Sequence, residues 1–423
     1  MEEQNSKVMV SVWCRTYNQV NYIRDALEGF ISQQTNFVYQ VIIFDDASTD
    51  GTSEVVREYE TKYPEIFHAI IAEENTYRRP DSMEITLEMW HKYLTGKYVA
   101  FCEGDDFWID SNKLQIQVDY METHPECSMY LHNSLWLNCQ NGKLKEGEPF
   151  RGNGEWDVSA KEIILQQRRF PPTASFLFRG EQLTKPRFFY EVPASDYTMI
   201  LYALISGNIH YNSRIMSVYR VFAKGSFAAR REQDTLLRLH YYFKMYIFSD
   251  KFDKYTNHKF HEWCRKRITA YTFPIRWGCD ADIPIAEYMG YSRDDKSSIP
   301  SEYFEYIEEL EKWRGQDLPS EFHDFAVRHE HIIIMGAGEF GMCMARLFTH
   351  HHMKFDGFVV TSKKEDENSL LGKPVWNFSE LPYDKSSIGV VIAICPYAGN
   401  YGWDTVLNSL AMAEIENYYS PFL

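Results

Sequence analysis

The chain has 423 residues, which is long enough for two or three domains with substantial cores. Its formal net charge of -16 argues against general binding to nucleic acid or to an anionic membrane surface. The eight cysteines are scattered without a CxxC pair, which predicts reduced thiols and a cytoplasmic protein. The amino terminus lacks the pattern of a signal peptide. The sequence has no run of eighteen apolar residues, so we expect no transmembrane helix.

Strands and helices alternate from the start of the chain. The predicted strands cover residues 8–13, 39–44, 68–72 and 98–102. The helices predicted between them cover residues 21–34, 52–63 and 83–94. This alternation predicts a doubly wound, mainly parallel α/β sheet, and such sheets bind ligands at the carboxyl ends of their strands.

The pattern changes twice further along. A helix at 112–123, strands at 128–137 and 174–180, and a helix at 197–206 extend the first region. Amphipathic helical stretches then run from about 228 to 314, and strands return at 331, 355–360 and 389–395. We therefore predict an α/β domain at 1–227, a helical extension or linker at 228–328, and a small Rossmann-like α/β domain at 329–423.

Two groups of carboxylates follow predicted strands of the first domain. Asp45 and Asp46 follow one strand, and Glu103, Asp105 and Asp106 follow another. Converging carboxylates raise one another's pKa and destabilise the fold unless a cation binds them. Oxygen ligands of this kind suit Mg²⁺ or Mn²⁺, which leave other positions to phosphate oxygens and water. A solvated turn is the alternative, but two such groups at one sheet edge favour a divalent metal that carries a diphosphate.

Several segments in order resemble the family-2 glycosyltransferases, which have the GT-A fold. They read VSVWCRTYNQVNYIRDALEGFISQ, VIIFDDASTDGT, GKYVAFCEGDDFW and KLQIQVDYMETHPECSMYLHN, within about 225 residues. Each segment alone is a weak signal, whereas their order and spacing together are specific. The acidic tetrad, Glu103-Gly104-Asp105-Asp106, departs from the family pattern at its first position, where Glu103 replaces the usual aspartate.

The resemblance implies residues for the donor and the metal. Those for the nucleotide are Thr16, Tyr17, Asn18, Asp45, Asp46, Arg78, Arg79, Glu103 and Asp105. Asp105 and Asp106 would hold Mn²⁺ or Mg²⁺, directly or through water. For the arginine pair, a solvated loop is the alternative.

Transfer of a sugar from a nucleotide-sugar donor needs a base that removes the proton of the acceptor hydroxyl. Family members carry it in an acidic segment at the start of a helix, which implies Asp196, although Ser195-Asp196 is also a normal helix cap. One-step displacement with such a base inverts the anomeric centre. The segment YRVFAKGSF resembles a family segment that closes over the diphosphate through Arg220, Lys224 or Ser226; a surface loop without a role is the alternative.

The terminal domain carries a glycine-rich turn at Gly336, Gly338 and Gly341, between a strand and a helix. Such turns allow a phosphate to approach a helix amino terminus. The next strand ends in Thr361-Ser362-Lys363 rather than the acid that binds an NAD ribose. The domain resembles the Rossmann-like domain that precedes the acyltransferase part of bacterial sugar acyltransferases, so both ligand binding and a docking role stay open.

Together these features predict a metal-dependent, inverting glycosyltransferase. The resemblance implies a nucleotide-sugar donor, most often a UDP-sugar, and a surface-glycan or lipid-linked oligosaccharide acceptor. This implies a cytoplasmic protein at the inner face of the membrane, with peripheral contact. The alternatives are a catalytically inactive nucleotide-sugar-binding scaffold and an NAD(P)-dependent redox enzyme that uses the terminal domain. The sugar, the linkage and the oligomeric state stay open.

Overall fold

The computed structural model describes residues 8–77, 79, 81–147, 153–165, 170–192, 194–223, 234–278, 283–291, 297, 299–316, 319–363, 368–395 and 403–421. The chain divides into two compact units. The amino-terminal unit comprises Met1–Ile163 and Arg169–Arg230, and the carboxy-terminal unit comprises Ile164–Arg168 and Arg231–Leu423. Within the described residues, none of the helices has the length and apolar character needed to span a membrane.

The amino-terminal unit is built on one large sheet. Its strands are β1 (Val10–Thr16), β2 (Tyr39–Asp45), β3 (Phe67–Ile71), β4 (Tyr98–Phe101), β5 (Phe107–Trp108), β6 (Cys127–Asn138), β7 (Leu144–Glu146), β8 (Glu155–Asp157), β9 (Leu177–Arg179) and β10 (Asn208–Val221). The strand order is β3-β2-β1-β4-β9-β6-β10-β5, with β7 paired to β6 and β8 paired to β10.

The helices up to residue 206 connect these strands. They are α1 (Ile23–Ile31), α2 (Thr52–Lys62), α3 (Ser82–Tyr93), α4 (Lys113–Thr123), α5 (Ala160–Leu165) and α6 (Ser195–Ser206). In α1, Ile23, Ala26, Leu27 and Phe30 recur at helical spacing and are all buried, so this face packs on the sheet core. Because β1 pairs in parallel with both β2 and β4, the predicted α/β fold with a mainly parallel sheet is confirmed.

Two strand predictions differ from the structure. The segment predicted as a strand at 174–180 begins with a 3-10 turn at Thr173–Ser175 and becomes a strand only at Leu177–Arg179. Pro172, whose ring fixes φ, precedes this turn and favours its start. The strand β10 has no counterpart among the predictions. Its pairing with β6 is interrupted by irregularities between Asn212 and Ser217, which obscure the alternation of apolar and polar residues.

The carboxy-terminal unit combines helices with a second, smaller sheet. Its helices are α7 (Thr235–Tyr255), α8 (His261–Trp277), α9 (Ile285–Tyr288), α10 (Ser301–Arg314), α11 (Ser320–Arg328), α12 (Glu339–His350) and α13 (Trp403–Met412). Its strands are β11 (His331–Met335), β12 (Gly357–Val360), β13 (Ser369–Leu370), β14 (Lys373–Asn377), β15 (Ile388–Ile392) and β16 (Tyr418–Tyr419).

The order of this sheet is β13-β14-β12-β11-β15-β16, and only β13 runs antiparallel to its neighbour. The five parallel strands therefore follow the order 3-2-1-4-5 of a doubly wound sheet. Helix α8 contributes Ala270, Phe273 and Trp277 to the same apolar cluster as Ile334 of β11 and Phe348 of α12. The helical segment and the small sheet thus share one core.

Candidate active site

Three neighbouring strands bring the acidic segments to one edge of the large sheet. Thr16 at the end of β1 stands opposite Asp45 at the end of β2. Beyond the end of β4, the Gly104 N–H donates to the Arg15 carbonyl at 3.0 Å. A Cβ at Gly104 would lie 2.6 Å from the Gln19 side chain and 2.8 Å from the Thr16 hydroxyl. Glycine is therefore needed for the acidic tetrad to pack against the turn after β1.

Asp45 is fully buried and stabilises the turn after β2. Its Oδ1 accepts the Ser48 N–H at 3.1 Å and the Ser48 hydroxyl at 2.5 Å. Its Oδ2 accepts the hydroxyl of Ser53 at the start of α2. These donors surround the carboxylate from within the protein, so Asp45 fixes the entry to α2.

Asp46 is buried as well and has a different set of donors. Its Oδ1 accepts the backbone N–H and the hydroxyl of Thr76, both at 2.7 Å, and its Oδ2 accepts the Arg15 guanidinium at 2.8 Å. Burial alone would raise the pKa of Asp46, but the hydrogen bonds from Thr76 and Arg15 lower it below its usual value. Both carboxylate oxygens of Asp46 therefore accept hydrogen bonds from the protein, and the bond to Arg15 orients that guanidinium.

The expectation that both acidic groups need a cation is therefore wrong for one of them. Asp45 and Asp46 already have protein donors that compensate their charge. A bound metal ion would therefore compensate the charge of the tetrad and not that of Asp45 or Asp46.

Replacing Asp45 with asparagine tests this structural role. We expect Asp45→Asn to lower the free energy of unfolding by about 1–3 kcal/mol, because an amide cannot accept all the donors that the carboxylate satisfies. Chemical denaturation of the full chain measures the change. The control is Asp119→Asn on the exposed face of α4, where the Asp119 carboxylate accepts the Gln115 amide at 2.7 Å, and little change is expected. Equal stability of the two variants would contradict the assignment.

Arg15 is a site residue that the sequence interpretation missed. Its guanidinium carbon lies 5.6 Å from the Phe44 ring centroid and 5.8 Å from that of Tyr77, and the side chain is 29% exposed. Asp46 fixes one end of this cation while part of it faces solvent. A charged residue inside the strand pattern VSVWCRT was the available signal.

The turn after β1 is held by its own hydrogen bonds. The Thr16 hydroxyl is hydrogen-bonded to Gln19 Oε1 at 2.8 Å. Asn18 has a positive φ of 51°, its N–H donates to the Ser48 hydroxyl at 2.8 Å, and its Oδ1 accepts the Thr49 N–H at 2.8 Å. Tyr17 is 47% exposed, so its ring stands at the surface of this turn.

Of the predicted arginine pair, the structure describes Arg79. Arg79 is exposed, and its guanidinium is paired with Glu74 and, at 2.7 Å, with Asp81. These pairs occupy its charge with local carboxylates. Arg78 lies outside the described residues.

Arg220 donates hydrogen bonds to the acidic tetrad. The Arg220 N–H donates to Asp106 Oδ1 at 2.9 Å, and the guanidinium donates to the Asp105 carbonyl at 2.7 Å and to the Asp25 carboxylate. Asp106 is 2% exposed and Arg220 is 7% exposed. The Glu103 carboxylate accepts the Thr173 hydroxyl. One arginine, already paired with Asp25, therefore faces the tetrad.

The structure places Arg220 in a strand, β10, and not in a loop, and the residue is buried. Its contact with a donor diphosphate stays a prediction. Lys224 and Ser226 lie outside the described residues.

Crowding changes the acidities of the tetrad. Burial first, and then the charge of Asp105, raises the pKa of Glu103 to about 7. Burial, and then the charges of Asp105 and Glu103, raises the pKa of Asp106 well above its usual value. Each carboxylate makes the ionisation of the next less favourable.

Asp196 belongs to the same electrostatic cluster. It lies in the first turn of α6 and is exposed, while the residue before the helix is Ala194, which makes no side-chain cap. The charge of Asp196 contributes to the raised pKa of Glu103. Tyr219 of β10, which the sequence interpretation missed, has a pKa raised by burial first and then by Asp106, Glu103, Asp105 and Asp196.

The donor set fits a hard divalent cation. The three carboxylates of Glu103, Asp105 and Asp106 supply oxygen ligands, and burial makes their combined charge costly. Among the described residues, Arg220 is the cation that hydrogen-bonds to this segment, and it also pairs with Asp25. A bound Mg²⁺ or Mn²⁺ would offset the excess negative charge.

The glycine turn of the carboxy-terminal unit is explained largely by packing. Gly336 has a φ of 108°, and a Cβ on Gly341 would lie 2.0 Å from the Gly336 carbonyl. A Cβ on Gly338 would meet no atom within 4 Å, so this position faces open space. Glu339, which follows it, accepts from Arg238 at 2.7 Å and from the Tyr242 hydroxyl at 2.8 Å. The Glu339 carboxylate, at the start of α12, is therefore paired with side chains of α7.

Comparisons with known proteins include a family model. Residues 11–170 match the model Glycosyl transferase family 2. The matched residues include the tetrad, whereas Asp196 and Arg220 lie beyond residue 170.

Relatives and a solved structure extend the likeness. An uncharacterized protein of Mycobacterium tuberculosis is 33% identical over 220 residues, which is 51% of this chain. The chain spans about 60% of the length of that relative. TuaG of Bacillus subtilis, named for a teichuronic acid biosynthesis glycosyltransferase, is 34% identical over 117 residues, covering 28% of this chain and 43% of TuaG.

A crystal structure of TarS residues 1–349 from S. aureus, in complex with UDP-GlcNAc, is similar in fold. Its TM-score is 0.50 at 15% identity, covering 82% of this chain and 93% of that chain. The likeness confirms the predicted α/β fold of the GT-A type.

Proposed function

We propose that the amino-terminal unit is a metal-dependent, inverting glycosyltransferase that moves a sugar from a nucleotide-sugar donor to an acceptor hydroxyl. One observation carries the proposal. The three carboxylates of the tetrad follow β4 at the sheet edge where the neighbouring strands β1 and β2 also end, within the residues that match the family-2 model. This supports a cation site at that edge, where a donor diphosphate would bind.

Asp105 and Asp106 would hold the metal, and Glu103 would lie beside the donor ribose. When bound, Mn²⁺ or Mg²⁺ supplies positive charge that stabilises the departing nucleoside diphosphate. Arg220 holds the backbone of the tetrad at fixed geometry through the Asp105 carbonyl and the Asp106 carboxylate. Such fixed geometry allows the ligands to act without rearranging during the reaction.

Asp196 would take the proton of the acceptor hydroxyl as that oxygen attacks the anomeric carbon. It is exposed at the start of α6, where an acceptor can reach it, and ionised carboxylates are stabilised near a helix amino terminus. Attack from the face opposite the leaving diphosphate inverts the anomeric centre.

The nucleotide base would lie along the turns after β1 and β2. Thr16, Tyr17 and Asn18 border this region, and the exposed Tyr17 ring is available to stack on a base. Arg15, held by Asp46, adds a cation at the same edge. We propose a UDP-sugar as donor, which fits the UDP-GlcNAc held by TarS, and an acceptor that is a surface glycan or a lipid-linked oligosaccharide at the cytoplasmic face of the membrane.

A panel of nucleotide sugars, assayed for transfer and for hydrolysis with and without Mn²⁺, tests the proposal. We expect metal-dependent turnover of one donor and retention of that dependence in the Asp119→Asn control. Metal-dependent binding of a donor without turnover under any acceptor would favour the alternative of an inactive scaffold. NAD(H) binding with no response to nucleotide sugars would favour the redox alternative.

A further inference from the structure

A second, chemically different group of ligand atoms lies in the carboxy-terminal unit, away from the residues assigned to sugar transfer. Asp253 is in the last turn of α7, His258 is in the connection that follows, and His261 is the first residue of α8. One ligand atom from each of the three lies within 4.8 Å of the others. Two imidazoles and one carboxylate form this group, which we call the α7–α8 triad.

Both rings of the triad point to the same carboxylate oxygen. His258 Nδ1 and His261 Nδ1 each lie 2.8 Å from Asp253 Oδ2. In a tetrahedral site with bonds of about 2.0–2.1 Å, neighbouring ligand atoms lie about 3.3 Å apart. A small outward movement of the two rings would therefore make room for a metal ion among these three atoms.

Asp253 supplies an independent sign that a charge is missing. The residue is 5% exposed, and its second oxygen, Oδ1, is buried without a hydrogen-bond partner among the described residues. A buried carboxylate with an unsatisfied oxygen is costly. A dication bound at the triad would offset that cost.

We infer that the α7–α8 triad binds a zinc ion. Two neutral imidazole nitrogens and one carboxylate oxygen match the ligands that Zn²⁺ prefers, whereas the all-oxygen tetrad suits Mg²⁺ or Mn²⁺. The histidine side chains are 61% and 57% exposed, so each ring can carry its proton on Nε2 in water while Nδ1 binds the metal. The fourth position is open to a water molecule.

The bound ion ties the connection between two long helices. Helices α7 and α8 pack against each other, and the triad joins the end of one to the start of the next. Zinc therefore stabilises this helix pair in the folded state, by an amount set by its free concentration relative to its dissociation constant.

The test uses the untagged full chain, stripped of metal and then dialysed against Zn²⁺. We expect one zinc ion per chain by elemental analysis and a higher thermal midpoint. His258→Gln and His261→Gln should each lose the bound zinc and the thermal shift. Because both rings are largely exposed, these variants are expected to fold, which circular dichroism checks.

Two matched controls separate this site from others. His350→Gln, at an exposed histidine of the run His350-His351-His352, should keep the zinc, and so should Asp105→Asn in the tetrad. Co²⁺ in place of Zn²⁺ should give the visible absorption of a tetrahedral site in the wild type and not in His258→Gln. The inference is overturned if the wild type binds no zinc, or if the His258→Gln and His261→Gln variants bind as much as the wild type.

Discussion

Asp196→Asn is expected to bind the nucleotide-sugar donor as the wild type does and to transfer the sugar about 10²–10⁴-fold more slowly. The amide keeps the size of the side chain but cannot accept the acceptor's proton. Donor binding should survive because the tetrad and the turns after β1 and β2 are unchanged. Single-turnover transfer and a donor-binding isotherm, measured with Mn²⁺ present, separate the two effects.

The control for this variant is Glu181→Gln, which changes an exposed carboxylate of the same unit. It should transfer at the rate of the wild type. If Asp196→Asn transferred sugar as fast as this control, Asp196 would not be the base. If it lost donor binding instead, the residue would act on the nucleotide side of the site.

Asp105→Asn is expected to abolish metal-dependent stabilisation and to lower transfer by orders of magnitude. In the wild type, Mn²⁺ at about 100 times its dissociation constant should add about 2.7 kcal/mol to the free energy of unfolding. The variant lacks one of the carboxylates that hold the ion, so this increment should disappear. Thermal midpoints with and without Mn²⁺ measure it.

The same variant makes a second, opposite prediction without metal. Burial raises the pKa of Asp105, so its ionised form is disfavoured in the folded protein. Removing that charge should leave the metal-free variant at least as stable as the metal-free wild type. If the thermal midpoint of the metal-free variant were well below those of the metal-free wild type and of Asp119→Asn, Asp105 would serve the fold and not a cation.

Local patterns in the sequence account for much of the fold. The buried strands β1, β2 and β4 are rich in apolar residues, and the helices between them show helical spacing, so their bounds differ from the predictions by only a few residues. The donors to Asp45 come from Ser48 and Ser53, three and eight residues away: Ser48 belongs to the turn that the sequence DDASTDGT already indicates, and Ser53 follows it in α2.

Long-range pairing accounts for what the sequence did not reveal. Arg220 reaches Asp105 and Asp106 across 115 and 114 positions, through a strand whose irregular pairing hides its pattern. Arg15 reaches Asp46 across 31 positions, and no local signal connects them. A pattern read along the chain detects neighbours in sequence, whereas these contacts depend on which strands the sheet places side by side.

The position of β6 limits how the protein can be shortened. This strand lies between β9 and β10, which both come after residue 170, where the family match ends. A fragment cut at that residue would leave the backbone of β6 with only the short β7 beside it, and open strand edges promote self-association. Fragments that end before Val221, the last residue of β10, should therefore aggregate, whereas fragments that include all of β10 should not.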